Sequence, residues 1–263
     1  MPIGGYCRLL EPLASAVDVR LNSEVRSIAI DVDRVVVTTL DGQRLDGSHA
    51  LVTVPLGVLK ARSITFEPTL APERSAAIER LGFGRFEKVA VRYERPRGAA
   101  PLPSAIVVSD LGMPELPVVI NLEPFVGEPV ILGYAFGTTV GLVSDGDAAT
   151  AVERLLGVVE RIAGQRPTPV AIIRTGWAAD PFTRGAYSYV PVGASPADFD
   201  LLGEPVEGRI LFAGEATSQR RVGYADGAMT SGIREAKRLL QTPDVELRPA
   251  DRNVGEPRRL RGA

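Results

Sequence analysis

The sequence predicts an α/β fold with α+β elements, in which the chain passes through one core, builds a second and returns to the first. Three observations predict it. Residues 17–54 alternate apolar and polar side chains between Asp-Arg and Asp-Gly turns, the pattern of a β-meander. Residues 87–135 carry four more strand-like runs, followed by a long amphipathic stretch at about 147–163. Finally, a lone apolar strand at 209–213 runs into a helical pattern at about 225–240. A meander, then strands with helices, then one strand and one helix fits a mixed fold with a discontinuous domain.

Taken in order, residues 6–15 carry apolar side chains at helical spacing and predict a short helix despite Pro12. The meander supplies three or four strands and ends at Pro55. A short turn, a strand near Ile64–Phe66 and a helix from about Pro72 to Leu81 follow. That helix has proline in its first turn and Gly82 beyond its end, as cap chemistry favours. Strands at Glu87–Tyr93 and near 104–109, 117–122 and 129–135 predict one antiparallel sheet. The long helix places Ala151, Val152, Leu155, Leu156, Val159 and Ile162 on one face. A strand at 169–174, a loop, a short helix near 196–202 and the closing strand and helix complete the pattern. The tail at 243–263 mixes charges and prolines without periodicity and is expected to be disordered.

With 263 residues and 45% apolar content, the chain can bury a sizeable core. Its net charge of −2 comes from 30 basic and 32 acidic residues spread along the sequence, so neither a nucleic-acid nor a membrane footprint is expected. One cysteine and one histidine exclude a disulfide, a Cys/His zinc site and two-histidine chemistry, and no metal site is expected. Cys7 reads as a small buried hydrophobe and His49 as an edge or turn residue. No run reaches the roughly 18 apolar residues of a membrane span. "ASA" at 14–16 lacks the basic region of a secretory signal, and a cytoplasmic location is expected.

Few residues carry chemistry on local grounds. "GFG" at 82–84 lacks the third glycine of a phosphate-binding G-x-G-x-x-G, where Glu87 stands, and no other candidate exists in the sequence. Glu215 ends the strand of "ILFAGEATS", where α/β sites present a carboxylate; it could accept bonds from ligand hydroxyls or be a solvated turn acid. The helix after it begins with small residues, Gly227, Ala228, Thr230, Ser231 and Gly232, so another surface can approach its backbone. Ordinary helix–sheet packing explains the same residues. Lys88 lies in strand phase with Ala90 and Arg92, opposite Val89, a position that locally reads as solvated. Tyr187, Tyr189, Tyr224 and the sole tryptophan, Trp177, locally read as packing aromatics.

Seven segments in order carry a resemblance: "GGYCRLLEPLA", "VRLNSEVRSI", "ALVTVPLGVLK", "ITFEPTL", "AIERLGFGRFEKVAVRYE", "GWAADPFTRGAYSYVPVG" and "LFAGEATS" with "VGYADGAMTSGIREA". From about residue 3 to 241 the chain resembles the C-terminal half of the flavin-containing amine oxidases, the group of monoamine oxidases, polyamine oxidases and flavin-dependent lysine demethylases. The resemblance implies a partial FAD-binding domain at 1–62, a partial substrate domain at 63–190 and the return of the FAD domain at 191–242. It implies that Glu215 binds the ribityl hydroxyls of FAD, that the backbone of Val222, Gly223 and Tyr224 lies near the flavin C2 carbonyl, and that the main chain of Val25 meets the adenine. Lys88 would hold a water against flavin N5, Tyr187 and Tyr224 would sandwich the substrate amine, and Trp177 and Phe182 would pack around the isoalloxazine and the substrate entrance.

The implied reaction is hydride transfer from an amine's α-carbon to non-covalent FAD, with dioxygen as the oxidant of the reduced flavin. Tyrosine at 187, with no cysteine nearby, argues against a thioether link to the flavin. The family's βαβ unit with G-x-G-x-x-G, which grips the pyrophosphate, has no counterpart in these residues. The chain alone is therefore expected to hold FAD poorly. It reads first as a shortened oxidase, second as half of a split enzyme that needs a separate Rossmann-domain partner, and third as a non-catalytic remnant or interaction module.

Overall fold

The computed structural model describes residues 7–107, 116–144 and 149–241. The tail at 243–263 and the end of the strand expected at 104–109 lie outside them. Helix α1 (Cys7–Ala14) forms as the spacing predicts, yet Leu10 and Leu13 find no cover and are each 57% exposed. Cys7, expected to be buried, is exposed for the same reason.

Strands β1 (Val25–Asp31), β2 (Arg34–Thr39) and β3 (Arg44–Gly47) make the predicted meander. The β2–β3 turn uses Gly42 at φ 87°, whereas the β1–β2 turn puts Val32 at φ 56°, where a β-branched residue is strained. β4 (Ala50–Val52) was expected to extend the meander, but it pairs in parallel with a strand about 160 residues later. Helix α2 (Leu56–Lys60) follows Pro55, and β5 (Thr65–Glu67) returns beside β1 in parallel, giving the order β3-β2-β1-β5. β5 therefore sits with the first core: Phe66 packs with Ile28, Val35 and Val52.

Helix α3 (Pro72–Arg80) starts at its proline as expected. It does not end on Gly82. Leu81 is extended and Gly82 opens β6 (Gly82–Gly84), because a side chain at 82 would run into the Tyr189 ring. The second core is built on β7 (Phe86–Glu94), β8 (Ala105–Val107), β9 (Val118–Asn121), the short α4 (Glu123–Val126) and β10 (Val130–Phe136). After α5 (Gly141–Ser144) and α6 (Ala149–Ala163) comes β11 (Thr168–Arg174). The sheet is antiparallel throughout, in the order β11-β7-β10-β9-β8.

One face of that sheet packs on α6. Val89, Val91, Val119 and Ile131 meet Ala151, Val152, Leu155, Leu156 and Val159, the face that helical spacing selects. Ile162, expected on that face, is 36% exposed in the last helical turn, and Val158 is buried instead. The opposite face carries the half-exposed side chains of β7 and β10. β11 is an edge strand whose seven residues are all exposed, Ile173 at 72%.

The chain then crosses back. β12 (Tyr187–Tyr189) pairs with β6, α7 (Ala197–Gly203) packs against α3, and β13 (Ile210–Phe212) completes the parallel pair with β4. α8 (Ala225–Gln241) closes the described chain. Asp198 on α7, buried and accepting the Ser195 N–H, pairs with Arg80 on α3 and fastens the two helices. His49 lies in the turn between β3 and β4, as expected. Among the described residues no helix is long and apolar enough to cross a membrane, and no cluster of three metal-ligating side chains occurs.

Candidate functional site

Glu215 stands just after β13, the most deeply buried strand, whose three residues are each 2% exposed or less. Gly214 turns the chain out at φ 128°. The carboxylate faces β12 and the approach to α8. Its Oε1 accepts the Ser188 N–H at 3.2 Å and the Ser188 hydroxyl at 2.7 Å, and its Oε2 accepts the Gly223 N–H at 2.8 Å. Oε1 is thus filled, while Oε2 keeps one acceptor direction.

The segment before α8 is engaged within the chain. Gly223, at φ 77°, spends its N–H on Glu215, and the Tyr224 N–H reaches the Arg221 carbonyl at 3.2 Å. Val222 packs against the Leu56–Phe199 core. A side chain at 223 would lie 3.7 Å from Tyr187, so Tyr187 sits against this turn. Arg221 lies 4.7 Å above the Tyr224 ring and pairs with Asp226 at 2.7 Å, and its guanidinium holds the Asp226 carboxyl below the ordinary value.

Tyr187 opens onto an aromatic floor. Phe86 in β7 lies 6.1 Å from the Tyr187 ring, 5.1 Å from Tyr134 in an edge-on contact and 6.0 Å from Phe136 in a stacked one. Lys88 rises from the same face, two residues along the strand and directly opposite Tyr134. Its Nζ lies 5.8 Å from both the Phe86 and Tyr134 centroids, within cation–π reach. Alternation therefore places Lys88 correctly opposite Val89. It is half-buried, with aromatic rings on the covered side.

Trp177 and Phe182 lie in the loop between β11 and β12, 44% and 59% exposed. The loop hangs from a carboxylate that local sequence reading missed. Glu87, with no exposed surface, accepts the Thr175 hydroxyl at 2.6 Å, the Ala178 N–H at 2.9 Å and the Trp177 N–H at 3.2 Å. The Thr175 hydroxyl oxygen in turn accepts the Lys88 N–H at 2.8 Å. An acid in the core-facing phase of a strand was the available signal. Phe86, Tyr134 and Phe136 could likewise have been found by counting in twos from Lys88 and its partner.

Val25 lies elsewhere, in a cleft of about 770 Å³ with Leu40, Val54, Val58 and Phe182. Val54 also lines a smaller hollow of about 210 Å³ that reaches Gly214, Glu215 and Ala228. Val54, just after β4, is the residue that the two cavities share. The structure brings Glu215, Val222, Gly223, Tyr224 and Tyr187 together, sets Lys88 on the adjoining floor with Trp177 on the loop beside it, and leaves Val25, with Phe182, in the separate larger cleft.

Residues 1–240 match the family model described as flavin containing amine oxidoreductase. The chain is 35% identical over 251 residues to lysine-specific histone demethylase 1 homolog 3 of Arabidopsis thaliana, covering 90% of this chain and 15% of the relative. It is 34% identical to homolog 2 of Oryza sativa subsp. japonica, over 93% of this chain and 33% of the relative. Human lysine-specific histone demethylase 2 is 32% identical over 89% of this chain and 29% of its own length. The chain spans at most a third of each of these relatives. The sequence match over nearly all its described residues and the mixed α/β architecture lead to one conclusion: the chain belongs to the flavin-containing amine oxidoreductase family, whose cofactor is FAD.

Proposed function

We propose that these residues form the flavin- and substrate-facing half of an FAD-dependent amine oxidase. The observation that carries the reading is the meeting of Tyr187 with the Gly223–Tyr224 turn beside Glu215, on the edge of the floor that holds Lys88. The residues present fit FAD at this end. Glu215 Oε2 keeps an acceptor direction for a ribityl hydroxyl, and Val54 lines both the hollow of Glu215 and the larger cleft of Val25. When bound, FAD supplies the two-electron acceptor that converts an amine to an imine.

The chain's own groups supply orientation. Tyr187 and Tyr224, 43% and 58% exposed here, would wall the amine and, with the site closed by flavin, exclude water and align the nitrogen lone pair with the α-C–H bond that gives up hydride. Lys88, held over aromatic rings, gives one fixed positive charge and three N–H donors at the floor, enough to hold a water there. The substrate is a primary, secondary or polyamine. The relatives named as histone lysine demethylases support an N-methylated lysine as one member of that class.

The pyrophosphate grip comes from a βαβ unit outside these 263 residues. In a first version that unit belongs to a longer form of the same polypeptide. In a second version a separately encoded Rossmann partner supplies it, and in either version the parallel β4–β13 pair is the sheet that such a unit would extend.

The test is a protein that carries this chain together with a strand–G-x-G-x-x-G–helix unit, read in frame upstream or encoded apart. Anaerobic addition of an amine from these classes is expected to bleach the visible flavin band, and air to restore it with release of peroxide. A yellow protein that none of these amines bleaches would sink the reading. The 263-residue chain alone is expected to purify almost colourless; stoichiometric flavin would refute its dependence on the missing grip.

A further inference from the structure

Glu215 can face a ligand only if the turn that carries it is held at both ends. That turn, residues 213–216, lies between Phe212 at the end of β13 and Thr217. One side chain spans it. Arg234, on α8, donates from Nη2 to the Phe212 carbonyl at 2.8 Å and from Nη1 to the Thr217 carbonyl at 2.7 Å, with a longer Nη2 contact to the Thr217 hydroxyl at 3.3 Å. Its Nε bonds Glu235 at 2.5 Å, and Glu235, with no exposed surface, also takes Arg238 at 2.9 Å.

One turn back along α8, the Ser231 hydroxyl accepts the Gly214 N–H at 2.8 Å. The end of α7 presses on the same point: a side chain at Gly203 would lie 3.1 Å from Arg234 Nη2 and run into the Thr217 carbonyl. We infer that Arg234 is a positioning residue that clamps both ends of the Glu215 turn and so fixes where the carboxylate points. The inference rests on the flavin site proposed above.

The guanidinium suits this task because its planar fork reaches two carbonyls about five residues apart while a third nitrogen meets its counter-charge. A lysine has one nitrogen on a flexible stem and cannot bridge them. Buried Glu235 neutralises the fork, so the cation tolerates partial burial. The Gly223 N–H is the built-in gauge, since it is donated to Glu215 from outside the clamped turn.

The experiment is amide hydrogen exchange on the 263-residue chain, wild type against Arg234→Lys. Exchange at Gly223 is expected to quicken about tenfold, the loss of roughly one hydrogen bond, while Val89 and Val91 in β7 stay within about twofold. Unchanged protection at Gly223, or an equal loss in β7, would overturn the inference. If Arg234→Lys does not fold, Glu235→Gln keeps the fork and removes its counter-charge. It should quicken Gly223 in the same direction, and no change there would overturn the inference.

Riboflavin, which carries ribityl hydroxyls, and lumiflavin, which lacks them, supply a second readout. Arg234→Lys should weaken riboflavin about fivefold or more and lumiflavin by less than about twofold; equal weakening counts against the clamp. If the wild-type chain binds neither flavin, exchange at Gly223 alone decides whether Arg234 positions Glu215, and the flavin-site reading stands or falls with the amine-bleaching test on the form that carries the G-x-G-x-x-G unit.

Discussion

Glu87 and Lys88 are neighbours in β7 and serve opposite faces of one sheet. The buried carboxylate of Glu87 fastens the Trp177 loop from the core side, while the Lys88 ammonium lies over the Phe86 and Tyr134 rings on the other. A strand's two-residue period thus couples the loop wall of the site to its floor within a single dipeptide.

Glu87→Ala leaves the Trp177 and Ala178 N–H groups and the Thr175 hydroxyl without their acceptor. The expected loss is ~3 kcal/mol, about 1 kcal/mol for each of three part-buried hydrogen bonds, because the opened loop readmits water. Urea denaturation followed by Trp177 emission measures it. A loss below about 1 kcal/mol would mean the loop is held by other contacts.

Lys88→Met separates chemistry from folding. The substitution removes a charge from a half-buried aromatic floor and keeps the stem, so stability is expected to change by less than ~1 kcal/mol. In the flavin-loaded form proposed above, flavin reduction or reoxidation should slow about tenfold or more while flavin affinity holds. Stopped-flow absorbance reads both half-reactions, and unchanged rates in each would remove Lys88 from the mechanism.

Val32, 93% exposed at the tip of the first hairpin, adopts φ 56° without any packing to justify it. Val32→Asn, a residue that tolerates the left-handed region, is expected to stabilise the chain by ~1 kcal/mol. The urea midpoint should rise with an unchanged slope. A fall would show that the turn itself rearranges.

The Arg80–Asp198 pair gives stability an acid-side dependence. The Arg80 guanidinium, with the Ser195 N–H assisting, lowers the Asp198 carboxyl from its ordinary value of 3.8. A depressed folded-state value means that its contribution is complete above the unfolded value and is lost as pH falls through the folded one. Asp198→Asn should therefore be less stable than wild type at neutral pH, with the gap closing below about pH 4. A gap that stays constant from about pH 7 to pH 3 would assign the loss to packing rather than charge.

Much of the architecture is legible because it is periodic. The meander follows its two-residue alternation, and α6 buries five of the six side chains that helical spacing picks out. What failed was non-local. Nothing near Ala50 announces that its partner is Ile210, and the role of Gly82 depends on the Tyr189 ring packed where a side chain would stand. Lys88 shows both limits: alternation assigns its face and puts Phe86 on it, but the pairing with Tyr134 that completes the aromatic floor comes from the strand opposite. Glu87 could have been read locally, because an acid in phase with Val89 and Val91 must find donors inside.

The parallel pairing of β4 with β13 has a kinetic consequence. Closing a loop of about 160 residues costs entropy before the contact returns anything, so the meander and the five-stranded sheet, each made largely of nearer contacts, can form ahead of it. Glu215 is carried by the strand that arrives last. Core substitutions in β13 should then speed unfolding while hardly slowing refolding, and a slowed refolding limb in Leu211→Ala would contradict this order. A chain trapped short of that step would have most of its secondary structure and no site.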